Sequence, residues 1–431
     1  MRAKTIYASL TALHLAVTFA FVSVILCLIP FSQAQTLTTL YSFRGAPDGE
    51  GPTSAVLLDA AGNLYGTTYY GGNSKACPTG CGTIYKIDPT GNETVLHDFN
   101  QVDGRNPYAG LIMDDSGNFY GTTNGGGTFD YGTLFKCDSG EVLTVLWSFN
   151  VNSSGTPPMG SLLRDPAGNL YGTVAFGGPE NAGAVFKWEI KYNSLRILHS
   201  FTRSPDGYGP SAALIRDDAG HFYGTTQSGG TDNAGTVFRL DKTGLTILHS
   251  FTVGPDAEPL SSLVGDSQGN LYGTTHGRWA LTGCAAHGGC GTVFKLDAAE
   301  NETVLHTFSR GPDGSIPQAG LVSDPAGNLY GTTIRGGDFD RGTIFRISST
   351  GQFKVLHSFA GQSEGALPQA ALIRDAAGRL YGTTSNGGTY NLGTVFRLDP
   401  SDGATIRHHG HCSPRRANKR RKLVLTPVND T

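Results

Sequence analysis

One short segment governs what this chain can fold into. Leu64-Tyr65-Gly66-Thr67-Thr68 returns along the sequence with its tyrosine at Tyr65, Tyr120, Tyr171, Tyr223, Tyr272, Tyr330 and Tyr381, seven copies spaced 49 to 58 residues apart. A fixed frame surrounds each copy. A proline stands four residues before an aliphatic residue (Pro52, Pro107, Pro158, Pro210, Pro259, Pro317, Pro368), and an Asp-x-x-Gly turn precedes the tyrosine (Asp59, Asp114, Asp165, Asp217, Asp266, Asp324, Asp375). A Gly-rich turn and then Gly followed by a β-branched run come after it. Self-similarity at this period marks a repeat architecture.

Each unit reads as four short strands. The first is apolar with a small residue near its start, as in Gly110-Leu111-Ile112-Met113, and the second is Asn-Leu-Tyr-Gly-Thr-Thr. Gly235-Thr236-Val237-Phe238-Arg239-Leu240-Asp241 exemplifies the third, and Thr246-Ile247-Leu248-His249-Ser250-Phe251 the fourth. Asp caps the turn between strands one and two, where Gly or Asn accepts positive φ. Strands two and three join through Gly-Gly-x-x-[Asp/Asn]-x-Gly in five copies, a hairpin signal. These turns account for much of a glycine content of 61 in 431 residues. No Gly-x-y period runs through the chain, and with 10% aromatic residues the main body is not a disordered chain.

A four-stranded meander repeated seven times predicts an all-β fold, a seven-bladed β-propeller with small residues of the first strand at its crowded axis. A parallel β-helix needs a far shorter period, and sandwiches do not repeat sevenfold. Closure is legible as well. Thr38-Thr39-Leu40-Tyr41-Ser42-Phe43 is a fourth strand that precedes any complete unit, whereas the last unit stops after Val395-Phe396-Arg397-Leu398. Residues 36–43 are therefore expected to pair with residues 393–398, completing the last blade with the N-terminal strand and leaving no gap in the ring.

The unit Gly-Leu-x-x-Asp-x-x-Gly-Asn-Leu-Tyr-Gly-Thr-Thr, with its later Gly-Gly and Gly-Thr-Val-Phe-Lys-Leu, resembles the GloVer tandem repeat of exported "choice-of-anchor" bacterial proteins over residues 36–400. The resemblance implies an exported repeat protein whose relatives often carry a C-terminal anchoring segment, and it transfers no catalytic residues. The Asp-x-x-Gly-Asn-Leu turn is also similar to NHL and sensor-type propeller repeats. Here the tail departs from the family: residues 401–431 lack a sorting motif and an apolar helix and carry His408, His409, His411, Arg415, Arg416 and Lys419 to Lys422. That composition reads as a basic, solvated, disordered tail. A segment that binds polyanions, or metal through its histidines, is the competing reading.

At the other end, Arg2 and Lys4 precede an apolar run from Leu10 to Ile29, and Ser32-Gln33-Ala34 offers small residues at a cleavage site. Residues 1–34 thus read as a secretory signal peptide, residues 35–400 as the propeller and 401–431 as the tail, with no transmembrane segment left after cleavage. An uncleaved N-terminal anchor is the competing reading, although His14 interrupts the run. Export permits disulfides. Cys77 and Cys81, and likewise Cys284 and Cys290, lie in Gly-rich loops that each end in Gly-Thr, so each pair is expected to staple its own loop. Zinc would need four ligands, and His287 is the obvious extra donor, so no metal or other cofactor is expected. Cys137 and Cys412 have no evident partner.

Once the two basic ends are set aside, acidic residues outnumber basic ones in the body by 33 to 23, which argues against nucleic acid as a partner. Residues repeated in every unit are architectural on the simplest reading. His97, His199, His249, His306 and His357 share one strand position, which Tyr41 and Trp147 fill in the other copies, so aromatic packing is favoured over metal ligation. Asp48, Asp103, Asp206, Asp313 and Glu364, each four residues before the repeated proline, read as turn punctuation rather than as a cation-attracting ring. What differs between units points to function. Two turns between strands two and three are long, one from Tyr69 and Tyr70 to Cys81, the other through Arg278 and Trp279 to Cys290. Tyr69, Tyr70, Arg278, Trp279 and His287 are the candidate ligand-binding residues, for carbohydrate or protein at the cell surface, with loop drift held by a disulfide as the competing account. No nucleophile, phosphate loop or metal motif stands out. The sequence thus favours a secreted, monomeric, non-catalytic binding module over the alternative, an extracellular carbohydrate- or peptide-active lyase or hydrolase with its site at the channel mouth.

Overall fold

The computed structural model describes residues 35–277 and 290–399. These form seven four-stranded antiparallel sheets, the blades of a propeller. Blades one to six run in chain order, from Leu57–Leu58 through Glu93–Asp98 in the first to Val322–Ser323 through Phe353–Ser358 in the sixth. Blade seven takes Ile373–Arg374, Leu380–Thr384 and Thr394–Asp399 from the C-terminal side and its outer strand, Thr36–Ser42, from the N-terminal side. Thr36 pairs with Asp399 and Ser42 with Thr394, the closure expected above. Even the bulge is reproduced. The pairing shifts by one residue between Thr39 and Tyr41, as it does at Val185/Phe186 and Val237/Phe238 in blades three and four.

The first strand of every blade is a two-residue ladder, much shorter than its apolar run suggests. The missing length is the Pro-x-small-small segment at the axis, where the backbone turns its bonding to the neighbouring blade. Thr173 Oγ1 donates to Ala212 O at 2.9 Å, Thr225 to Ser261 O at 3.0 Å, and Thr383 to Ser54 O at 3.0 Å, which carries the same staple across the seam between the last blade and the first. Crowding here demands small residues. A Cβ placed on Gly160 of blade three would stand 2.6 Å from the backbone of Ala212 in blade four.

The core lies between the blades. Phe201, at the end of the outer strand of blade three, meets Phe238 in the third strand of blade four edge-on at 5.2 Å, and Phe251 meets Phe294 in the same way at 5.1 Å. At the closing seam Phe43 meets Tyr85 at 5.0 Å. Phe43, Phe99, Phe149, Phe201, Phe251, Phe308 and Phe359 are all buried. Each contributes roughly 1.5–3 kcal/mol relative to exposure. The glycine of Tyr-Gly-Thr makes room for these rings: a Cβ on Gly224 would lie 2.6 Å from the tip of Phe238.

The repeated tyrosine anchors the turn before it. Tyr65 donates its hydroxyl to Asp59 Oδ2 at 3.1 Å, while Asp59 Oδ1 accepts the Ala61 and Asn63 amides. The tyrosine bond and the bond from the amide four residues after the Asp recur in all seven blades. Burial opposes ionisation of Asp59, but the hydrogen bonds from Asn63, Tyr65 and Ala61 outweigh it and hold the carboxyl below its usual range. The hairpins between strands two and three use Asp or Asn twice over. Asn233 takes φ 54° and its Oδ1 accepts the Gly229 amide at 3.0 Å, as Asp130 does for Gly126. The longer hairpin of blade one carries the Cys77–Cys81 disulfide. Cys290 is also disulfide-bonded. Cys137 is free and buried, and burial, with Asp138 and Glu141 nearby, pushes its thiol up to about 11. Among the described residues no helix is long and apolar enough to cross a membrane.

Candidate functional site

A cavity of about 340 Å³ lies on the propeller axis, lined by Ala175, Phe176, Gly209 and Gln227 and by the three residues that follow each repeated proline, such as Thr53-Ser54-Ala55 and Tyr108-Ala109-Gly110. The second and third of these are small in every blade because adjacent blades collide there. The first is not constrained in this way and differs from blade to blade: Thr53, Tyr108, Met159, Ser211, Leu260, Gln318 and Gln369. A second variable position is the residue after Tyr-Gly-Thr-Thr: Tyr69, Asn124, Ala175 (in blade three, where Val174 replaces the second Thr), Gln227, His276, Ile334 and Ser385, of which Ala175 and Gln227 line the cavity.

The second position is tied down by a main-chain bond. In every blade the amide of that second residue donates to the carbonyl of the residue before the proline, as in Tyr69 N to Gly51 O at 3.1 Å and His276 N to Glu258 O at 3.0 Å. In every blade but the third, where it is Pro157, the residue before the proline is clamped in turn by the preceding blade, as in Ile316 N to Cys290 O at 2.9 Å. This clamp holds Ile316 at φ 60°, a conformation a β-branched residue avoids unless its surroundings impose it. Because the bond that recurs at the second position uses no side chain of that residue, the side chain there is left to vary from blade to blade.

Blades one and two build an aromatic corner. The Tyr69 ring stands edge-on to Tyr70 at 4.7 Å and to Tyr108 at 6.2 Å, and the Asn124 amide donates to the Tyr69 hydroxyl at 3.3 Å. Gln318 of blade six reaches the Tyr108 hydroxyl at 3.3 Å. On blade five, His276 Nδ1 lies 3.8 Å from Glu258 Oε2, too long for a hydrogen bond. Burial pushes His276 below its ordinary pKa, with Glu258 pulling the other way. No residue that lines the axial cavity carries a charge.

Of the sequence candidates, Tyr69 and Tyr70 pack on one another, and Tyr69 stands beside Tyr108, which lines the cavity; neither candidate lines it itself. Arg278, Trp279, Cys284 and His287 lie outside the described residues. Tyr108, Asn124, His276, Gln318 and Gln369 were missed because they sit at positions whose variation looks like drift in a repeat. Their alignment in the frame, one residue after Pro and one after Tyr-Gly-Thr-Thr, was the available signal.

The histidines and loop acids form pairs away from the mouth. His97 Nε2 lies 3.0 Å from Asp103 Oδ2, His306 3.2 Å from Asp313, and Tyr41 donates to Asp48. Among the described residues no group of three or more His, Cys, Asp or Glu side chains is disposed to hold a metal ion.

The repeat pattern of a known family matches residues 28–165, 139–283 and 277–429, together most of the chain. The chain belongs to the Gloeobacter/Verrucomicrobia repeat family. The tyrosine–aspartate turn and the inter-blade threonine staple described above are therefore the physical content of that family's repeat in this chain. No curated protein matches the sequence. Among solved structures, the fold is similar to an extracellular domain assigned to a one component system of B. thetaiotaomicron, with a TM-score of 0.56 at 10% identity. That similarity covers 85% of this chain and 40% of the other, so the chain spans less than half of that relative's length. A gluconolactonase from Xanthomonas campestris is also similar, with a TM-score of 0.42 at 15% identity over 84% of this chain and 89% of its own.

Proposed function

We propose that this protein is an exported, non-catalytic binding module whose ligand, a carbohydrate or a protein, seats at the propeller mouth framed by Tyr69, Tyr108 and Gln318. One observation carries the reading: side chains that differ from blade to blade converge on one mouth of a cavity, while the repeated residues are spent on turns and seams. Export is supported by the apolar segment within residues 1–34, read as a signal peptide, and by the Cys77–Cys81 bond, which suits an oxidising compartment. Residues 401–431, rich in Arg, Lys and His, are read as a basic tail. Tyr70, Arg278, Trp279 and His287 would extend the site from the two long hairpins. Screening the purified full chain against immobilised glycans and extracellular protein extracts tests the reading. Retention of a ligand that Tyr108→Ala abolishes supports it, and failure to retain any ligand sinks it.

A second reading rests on His276 beside Glu258. A histidine held largely neutral by burial could act as a general base at the mouth, as in a carbohydrate- or peptide-active hydrolase or lyase. Turnover of a sugar or peptide substrate that His276→Ala removes would replace the first reading with this one.

A further inference from the structure

We infer that the mouth takes the uncharged end of a glycan chain. This rests on the reading of the mouth as a binding site and narrows its ligand to one class. None of the described residues that line the cavity itself carries a charge, so an acidic or basic group entering it would lose its hydration there without a counter-charge. A peptide terminus brings such a charge. A folded protein surface is too broad for a cavity of about 340 Å³, near the lower end of the roughly 300–1,000 Å³ typical of small-molecule pockets.

What the mouth does offer suits a sugar ring. Tyr69 and Tyr108 present aromatic bodies with polar tips, able to lie against the C–H face of a pyranose and to bond its hydroxyls. Gln318 and Asn124 supply amides that already touch those tyrosine hydroxyls. Thr53 Oγ1 and Asn124 Oδ1 are buried oxygens with no hydrogen-bond partner in the protein. Such groups seek a donor, and sugar hydroxyls donate and accept in the same place. A second platform lies on the next two blades. Phe176 meets Tyr208 at 5.8 Å, and the Arg203 guanidinium covers the Tyr208 ring at 4.5 Å, extending the aromatic surface outward for the rest of the chain.

The test uses the purified full chain on an array of neutral and acidic glycans, followed by calorimetric titration of the best neutral and the best acidic hit and of an unstructured peptide library. The expected result is binding confined to neutral glycans, weakened at least tenfold by Tyr108→Ala and by Gln318→Glu, which places a charge at the mouth. Tyr108→Phe, which keeps the ring and loses the hydroxyl, should fall between, and Tyr390→Ala on the distant hairpin of blade seven should bind as the unaltered chain does. Equal thermal stability of all variants excludes misfolding as the cause. Binding of acidic glycans or peptides alone overturns the inference while leaving the binding module intact, as does neutral-glycan binding that Tyr108→Ala and Gln318→Glu leave unchanged. No binding of any class removes both.

Discussion

His199 Nε2 lies 2.9 Å from Asp206 Oδ2, joining the outer strand of blade three to the loop that enters blade four. The same carboxylate accepts the amide and hydroxyl of Thr202, and the His199 ring stands edge-on to Phe201 at 4.8 Å. Aromatic packing and turn closure are thus two ends of one latch. Its variants within the chain are coupled. Where Trp147 replaces the histidine, Ser154 replaces the acid, and Ser154 still accepts the Asn150 amide at 2.8 Å, so the loop is closed without a hydrogen-bond partner for the indole N–H. Where Pro255 occupies the acid's place, His249 turns to Glu302 at 3.2 Å.

Asp206→Ser should therefore destabilise the protein by about 1–3 kcal/mol, because it leaves His199 and Thr202 short of a charged acceptor. Adding His199→Trp should recover part of that loss, reproducing the Trp147/Ser154 solution. Denaturant titration of the two single variants and the double gives the coupling, expected at about 1 kcal/mol or more. Strict additivity would show that the latch has no energetic reality.

The closing seam should behave like any other. Phe43 occupies the place that Phe251 fills at the seam between blades four and five, and both are buried. Phe43→Ala and Phe251→Ala should each cost about 3–5 kcal/mol, within about 1 kcal/mol of one another. A nearly silent Phe43→Ala in thermal denaturation would mean that the N-terminal strand does not close the ring.

Tyr85 stands where the other six blades have phenylalanine, and its hydroxyl is buried with no hydrogen-bond partner. Burial raises its pKa strongly, so it stays neutral. Tyr85→Phe removes an unsatisfied polar group and should stabilise the protein by about 1 kcal/mol. A drop in melting temperature would refute this.

Glu93 lies near Tyr41 and Asp48 at the same seam. Burial, and then the charge of Asp48, push its carboxyl up to about 7, with Arg44 opposing. A carboxyl raised above its unfolded value of 4.5 binds its proton more tightly in the folded state, so its contribution is full below pH 4.5 and is lost as pH rises through about 7. Glu93→Gln should raise the melting temperature at pH 7.5 and leave it nearly unchanged at pH 4.5. His306 and His357 give the opposite slope: burial lowers both, so the stability they confer is lost as pH falls below their ordinary 6.5. The difference between Glu93→Gln and the unaltered chain across pH isolates the glutamate.

Most of the fold was legible because its determinants are local and repeated. Asp59 and Tyr65 are six residues apart in one turn, Asn233 caps its own hairpin, and Gly66 clears its own sheet, so each unit announces its strands and turns. Closure was legible too, since a surplus fourth strand at one end and a missing one at the other leave one pairing that satisfies both. The length of the first strand was not. Its apolar run looks like sheet, but Thr225 and Thr383 draw the axial backbone of the next blade to themselves.

Tertiary structure alone decided what meets at the mouth and across the seams. Tyr108 and Gln318 are 210 residues apart and occupy the same place in different blades, so nothing in either neighbourhood marks them as neighbours until the ring is closed. Likewise, the sequence displayed a set of histidines and a set of acids without joining them, because the bond between His199 and Asp206 depends on how the chain turns between two blades. Repetition writes the scaffold into each unit. The ligand face is the sum of its departures from repetition, and only closure about an axis brings those together.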